Sequence, residues 1–185
     1  MIKTYVIDTN VLIQAPYAIE CFEENNLVLP LVVLEELDGL KKAEGEKGAN
    51  ARAAVRKLES YRQKGDLLQG VKLPGGGILR IEKNFVQVEL PQDIPDDKPD
   101  NRILKVCKGL AETEKEGQVI LVTKDIVLRL KAQILGIRAE DFERERISED
   151  DAQYTGRTEI YFPEEKVKEF KKKGIPLTDA YPVSY

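Results

Sequence analysis

Short apolar runs rich in β-branched residues, each followed by a helical pattern, restrict the fold of this chain more than any other feature. Lys3–Ile7 runs apolar into Asp8-Thr9-Asn10, and Leu27–Pro30 leads into a helical pattern over Leu31–Lys42. Gln118–Thr123 precedes a helix over Asp125–Leu135 that Gly136 closes, and Ile137–Glu140 supplies a last short strand. Gly48–Lys64 reads as a helix rich in Ala, Arg and Lys, and the loop PQDIPDDKPD opens another from about Asp100 to Glu116. Such alternation predicts an α/β domain with a mostly parallel sheet. Ile78–Glu82 and Phe85–Glu89 flank Lys83-Asn84; paired there, Leu79 and Ile81 fall opposite Val88 and Val86, so a β-hairpin is expected. The glycine-rich run Pro74–Gly77 lacks the Gly-Lys-Ser/Thr ending of a phosphate loop and reads as a turn.

With 42% apolar residues in 185, the chain can fill one good core. After about Asp141 the character changes: Glu140–Asp151 holds seven acids and two arginines, a solvated stretch rather than a core element. A strand is expected at Thr158–Phe162 and a basic helix around Pro163–Lys173, whereas IPLTDAYPVSY gives neither signal. The expected division is 1–142 as the α/β domain and 143–185 as a charged linker with a short strand–helix extension. MIKTYVID turns acidic too early for a signal peptide, and Pro30 breaks the longest apolar run, so a cytoplasmic chain without a membrane span is expected. Cys21 and Cys107 are too few and too far apart for a disulfide framework, and Cys107 shares a helical stripe with Ile103 and Leu110, as a buried thiol does.

The chain has no histidine. That removes the Ser–His–Asp triad, the imidazole base and His-ligated zinc or iron, and leaves chemistry to carboxylates, hydroxyls, lysines or a hard cation. In open parallel sheets, functional groups gather beyond the carboxyl ends of the strands. Asp8 ends the first strand and Asp125 follows VILVT; Asp100 aligns with Leu104 and Cys107 on the buried side of its helix. A fourth acid comes from Glu35, Glu36 or Asp38. The helical projection turns Glu35 to solvent and puts Glu36 beside the apolar face of Val33, Leu34, Leu37 and Leu40, without deciding between Glu36 and Asp38. Taken singly, Asp8, Asp100 and Asp125 each suit a helix cap. Converging together, the four would repel strongly, and Mg²⁺ or Mn²⁺ would relieve that repulsion.

The series YVIDTNVLI, LPLVVLEELDGLKK, PDNRIL and VILVTKDIVLRLKA, in this order and spacing, resembles a PIN domain over roughly residues 1–142. The resemblance implies a three-layer, Rossmann-like α/β fold with a mostly parallel central sheet, here with the inserted hairpin and a short C-terminal extension. It also implies a metal-dependent nuclease acting mainly on RNA. Matched motif to motif, the family's acidic cluster falls on Asp8, Glu36, Asp100 and Asp125, and its supporting polar positions on Asn10 and Thr123. ELDGLKK, LRLKAQILGIRAEDF and YTGRTEIYF look like the amino-terminal part of bacterial PIN–PhoH proteins, so a PhoH-type ATPase domain is an expected partner in a longer chain.

On this reading the acidic group holds Mg²⁺ or Mn²⁺, which activates a water for in-line attack on the RNA phosphodiester, leaving a 5′-phosphate and a 3′-hydroxyl. From Asp38 to Lys64 eight Lys/Arg face four Asp/Glu, and Lys41, Lys42, Arg52 and Arg56 are the expected backbone contacts for RNA. Tyr61, on the same helix, reads as a packed rather than a base-stacking ring. A dehalogenase-type phosphatase would need a second aspartate where Asn10 stands, and a receiver domain would need an acidic pair at the first strand. A non-catalytic RNA-binding or assembly module is the alternative from another class. RNA preference, endo- or exonucleolytic action and oligomeric state, a homo-oligomer included, are not written in the sequence.

Overall fold

The computed structural model describes residues 2–95, 97–114, 118–142, 160–161 and 181–182. Strands β1 (Thr4–Ile7) and β5 (Val119–Val122) are buried at all four positions, as central strands of a parallel sheet covered on both faces must be. They pair with each other, and β1 pairs on its other side with β2 (Asn26–Pro30). Outside β2 lie β4 (Ile78–Glu82) and then β3 (Val71–Lys72); outside β5 lies β6 (Arg138–Glu140). The order β3-β4-β2-β1-β5-β6 is parallel except at β3. From β1 the chain builds one side through β2 and β4 and later the other through β5 and β6, so the order reverses between β1 and β5. The crevice beyond the carboxyl ends of such a strand pair is where open α/β sheets receive ligands.

Five α-helices among the described residues connect the strands: α1 (Thr9–Gln14), α2 (Leu31–Leu40), α3 (Gly45–Arg62), α4 (Pro99–Thr113) and α5 (Ile126–Ile134). The core joins strand residues such as Val6, Ile7, Leu29, Ile120 and Leu121 to Leu37 of α2 and Ile103, Leu104 and Leu110 of α4. Each such side chain contributes about 1.5–3 kcal/mol on burial. Cys107 lies fully inside this core, and burial holds its thiol well above the ordinary range. The α/β class and the mostly parallel sheet are those expected from the alternation.

The hairpin is not the expected one. β4 pairs with the upstream β3 around the Pro74–Gly77 turn, Lys72 facing Ile78 and Val71 facing Leu79. Phe85–Glu89 forms no strand, because both edges of β4 are already taken, by β2 and by β3. Phe85 instead turns the chain at φ 44°, and its ring lies on Gly109 of α4, where an added Cβ would come within 2.2 Å of Phe85 Cδ1. Val88 is buried and Val86 exposed, so the alternation that suggests a strand reports burial without strand pairing.

The chain divides into two units, Met1–Glu143 and Arg144–Tyr185. In the second, β7 (Ile160–Tyr161) pairs antiparallel with β8 (Tyr181–Pro182). The expected strand at Thr158–Phe162 is thus present in shorter form, and the ending read as featureless contributes its partner. The basic helix expected around Pro163–Lys173 lies outside the described residues. No helix among the described residues is long and apolar enough to cross a membrane.

Candidate active site

A cavity of about 410 Å³ opens beyond the carboxyl end of β1, lined by Asp8, Thr9, Asn10 and Ile13, by Glu36, Gly39 and Leu40 of α2, and by Lys47 and Asp100. Three of the four expected acids therefore face one space from three parts of the chain. Asp8 occupies the N-cap position of α1 but makes no side-chain cap bond, so its carboxylate is available to the cavity. Asp100 sits in the first turn of α4, behind Pro99. In α2, Val32, Val33 and Leu37 are buried and Glu35 and Asp38 exposed, while Glu36 is half-buried. The helix therefore sends Glu36, and not its two acidic neighbours, to the cavity.

Hydroxyls hold two of these carboxylates. Thr9 Oγ1 donates to Glu36 Oε2 at 2.5 Å, and Thr123 Oγ1 donates to Asp8 Oδ2 at 2.6 Å. The Thr123 oxygen also accepts from Asn10 Nδ2 at 3.2 Å and from the Asp125 backbone N–H at 3.0 Å, which uses its full hydrogen-bonding capacity. Asn10 Oδ1 accepts from the Lys124 N–H at 3.1 Å. Asn10 and Thr123 thus join the ends of β1 and β5 and fix Asp8 between them.

Asp8 is 4% exposed. Burial pushes its carboxyl from the ordinary 3.8 up to about 6; the Thr123 hydrogen bond opposes the rise, and the charges of Asp100 and Glu36 add to it. The fold holds a carboxyl where ionisation is penalised, with two more acids across the same cavity.

Asp125 is placed differently. It caps α5, its Oδ1 accepting from Val127 N–H at 2.7 Å and Leu128 N–H at 3.3 Å, and it does not line the cavity. The expected RNA contacts also divide. Lys41 pairs with Asp38, and Arg52 donates to the carbonyls of Lys41 and Ala43, whereas Lys42 and Arg56 are exposed without an ion pair among the described residues. Tyr61, 1% exposed with its hydroxyl donating to Glu20, is a packed ring. Two lining residues carried no signal in the sequence: Thr9, whose partner Glu36 lies 27 positions on, and Lys47, one basic residue among several in a helix.

Among the described residues no three His, Cys, Asp or Glu side chains stand close enough to grip a metal ion together. The donor set still fits one in kind. It consists of carboxylate oxygens around an open cavity with a buried carboxyl resisting ionisation, and hard cations that keep several waters suit such donors.

A parallel α/β sheet with acids gathered at its switch point describes a class of fold, and comparison with known proteins gives the family. Residues 5–143 match the model of the PIN domain, and the chain belongs to that family, whose members are generally nucleases. It is similar to protein PhoH2 of Bacillus subtilis, 45% identical over 178 residues that make up 94% of this chain and 40% of the relative. It is likewise similar to protein PhoH2 of Thermobispora bispora, 35% identical over 181 residues, 96% of this chain and 40% of that protein. The chain thus spans about two fifths of the length of these curated relatives. Among solved structures, a domain of a functionally unknown protein from Methanocaldococcus jannaschii matches with a TM-score of 0.49 and 21% identity, over 76% of this chain and 91% of that one.

Proposed function

We propose that the domain is a divalent-metal-dependent ribonuclease in which Asp8, Glu36 and Asp100 hold Mg²⁺ or Mn²⁺ and hydrolyse RNA phosphodiester bonds. One observation carries the reading: three carboxylates from separate elements line one cavity, and burial holds Asp8 partly protonated up to about pH 6. A buried carboxyl with acidic neighbours is costly to keep without a cationic ligand. When bound, the ion supplies Lewis acidity, lowering the pKa of water and neutralising charge on the phosphoryl oxygens.

The chain's own groups set the geometry. Thr123, itself held by Asn10, fixes Asp8 through Oδ2, and Thr9 fixes Glu36, so two of the three carboxylates have their rotamers set by hydrogen bonds from the β1 and β5 ends. Asp125 stands at the edge of this centre, where it caps α5 and gives its N–H to Thr123, so it acts through the turn that carries Thr123. Lys42 and Arg56, exposed and without an ion pair among the described residues, suit phosphates further along the strand. In a full-length protein a PhoH-type ATPase domain would accompany this unit, consistent with the lengths of the relatives.

The test is cleavage of single-stranded and structured RNA in Mg²⁺, Mn²⁺ or EDTA. The reading requires cleavage that EDTA abolishes and that Asp100→Asn lowers by at least about a hundredfold, the scale of losing an electrostatic group in a catalytic centre. RNA binding that survives EDTA, with no cleavage under either metal, would point to a binding module instead.

A further inference from the structure

We infer that Lys47 is a substrate-positioning residue, its ammonium anchoring an RNA phosphate beside the acidic cleft, and that Gly45, Gly48 and Arg52 form a clasp holding it there. The inference rests on the ribonuclease reading and assigns the substrate contact within that same site.

Among the described residues, Lys47 is the one cation lining the cavity of Asp8, Glu36 and Asp100. It makes no hydrogen bond or ion pair with any described residue, although three carboxylates share the space. It is therefore not their counter-ion. Its position opposes helix stability as well, because the first turn of α3 carries the positive end of the helix dipole, where a cation is unfavourable. A lysine placed against the dipole, unpaired and facing a cavity of acids, is suited to an anion that arrives from outside. An RNA phosphate has that charge, and a cavity that receives phosphodiesters at its acids needs a cation to draw a polyanion to an otherwise repulsive wall.

The surrounding backbone is shaped to present this residue. Gly45 turns the chain at φ 73°, and Gly48 lies so close to the α2–α3 link that a Cβ there would fall 1.8 Å from the Ala43 carbonyl oxygen. Arg52 binds the same link from the next turn, Nη1 donating to the Lys41 carbonyl at 2.8 Å and the Ala43 carbonyl at 3.4 Å. Lys47 sits between the two glycines, so its Cα is fixed by a positive-φ turn on one side and a close backbone approach on the other. Arg52, expected from the sequence to bind RNA, here spends its guanidinium on this link.

The test reads steady-state cleavage and RNA binding by fluorescence anisotropy across a salt series, the wild type first. Lys47→Ala should raise KM about tenfold with kcat within about twofold, and lower the slope of log affinity against log salt by about 0.7, the single-strand value for one phosphate contact. Lys47→Arg should restore the slope, and Lys72→Ala, an exposed lysine on the far edge strand, should change neither quantity. Arg52→Ala should raise KM by a few fold, and the double variant should be no worse than Lys47→Ala; additive losses would show that Arg52 binds RNA itself and would overturn the clasp. A Lys47→Ala enzyme with unchanged KM and slope, or with kcat alone reduced, overturns the anchor and leaves the ribonuclease reading intact. A wild type that neither cleaves nor binds RNA refutes the ribonuclease reading itself.

Discussion

Replacing Asp8 by Asn should make the metal-free protein more stable. Asp8 is 4% exposed, and its carboxyl is raised from 3.8 to about 6, so at neutral pH folding must bury a carboxylate that is already ionised in the unfolded chain and disfavoured in the folded one. Each tenfold change in ionisation is about 1.4 kcal/mol, which puts the penalty at about 3 kcal/mol. Asn resembles the protonated carboxyl in shape and can still accept from Thr123, so the substitution recovers most of it. With an unfolding entropy of roughly 0.3 kcal/mol per kelvin for a domain of this size, the melting temperature in EDTA at pH 7.5 should rise by about 10 °C. The sign with pH is fixed. A carboxyl whose folded pKa is raised has no penalty below its unfolded value, so the advantage of Asp8→Asn should be complete above about pH 7. It should fall by about half near pH 5 and be nearly gone by pH 4. Mn²⁺ should raise the melting temperature of the wild type and not that of the variant. Calorimetric melts of both proteins from pH 4 to 8, with EDTA or Mn²⁺, check this. A variant equal to or less stable than wild type in EDTA at pH 7.5, or a gap that does not change with pH, would refute the reasoning.

Other expectations follow from the same contacts. Thr9→Val keeps the shape of a buried side chain but removes the donor to Glu36, and Mn²⁺ affinity by titration calorimetry should fall about tenfold, as for loss of one hydrogen bond to a charged group. Asp125→Ala removes the α5 cap and should cost about 1 kcal/mol in urea unfolding, whereas Asp125→Asn, an equally good cap, should cost little. Asp125→Asn should also reduce RNA cleavage far less than Asp100→Asn; equal losses would move Asp125 from the edge of the centre into it. Gly109→Ala drives a methyl group into the Phe85 ring and should cost about 2 kcal/mol, measured by thermal melting.

Local pattern carried much of the fold because the two central strands are buried on both faces. TYVI and VILV must be uniformly apolar or nearly so, and each ends at a helix start that its polar residues mark. The expected hairpin does not form because alternation in Phe85–Glu89 reports which residues are buried, not what buries them. The choice was decided by the β4 edges and by Gly109, 24 positions away. At the site, the projection of α2 sets Glu35 aside because exposure on a helix is periodic, but it leaves Glu36 and Asp38 open; the family's motif pattern favours Glu36, and the structure turns both Glu35 and Asp38 to solvent. Asp8 and Asp125 look alike in sequence, each preceding a helix, yet only Asp125 caps its helix, since the Asp8 carboxylate is drawn to Thr123 across the sheet. Thr9 and Lys47 were not legible because their roles depend on neighbours set by tertiary packing.

The central claim is that Asp8, Glu36 and Asp100 together form a divalent-metal centre. Anomalous diffraction from crystals soaked in Mn²⁺ tests it most directly. The account predicts a manganese peak within the cavity, held by the three carboxylates directly or through its retained waters, that disappears in Asp8→Asn crystals. A protein that cleaves RNA with Mn²⁺ but shows no ion there, or shows its ion at another group of residues, would contradict the account.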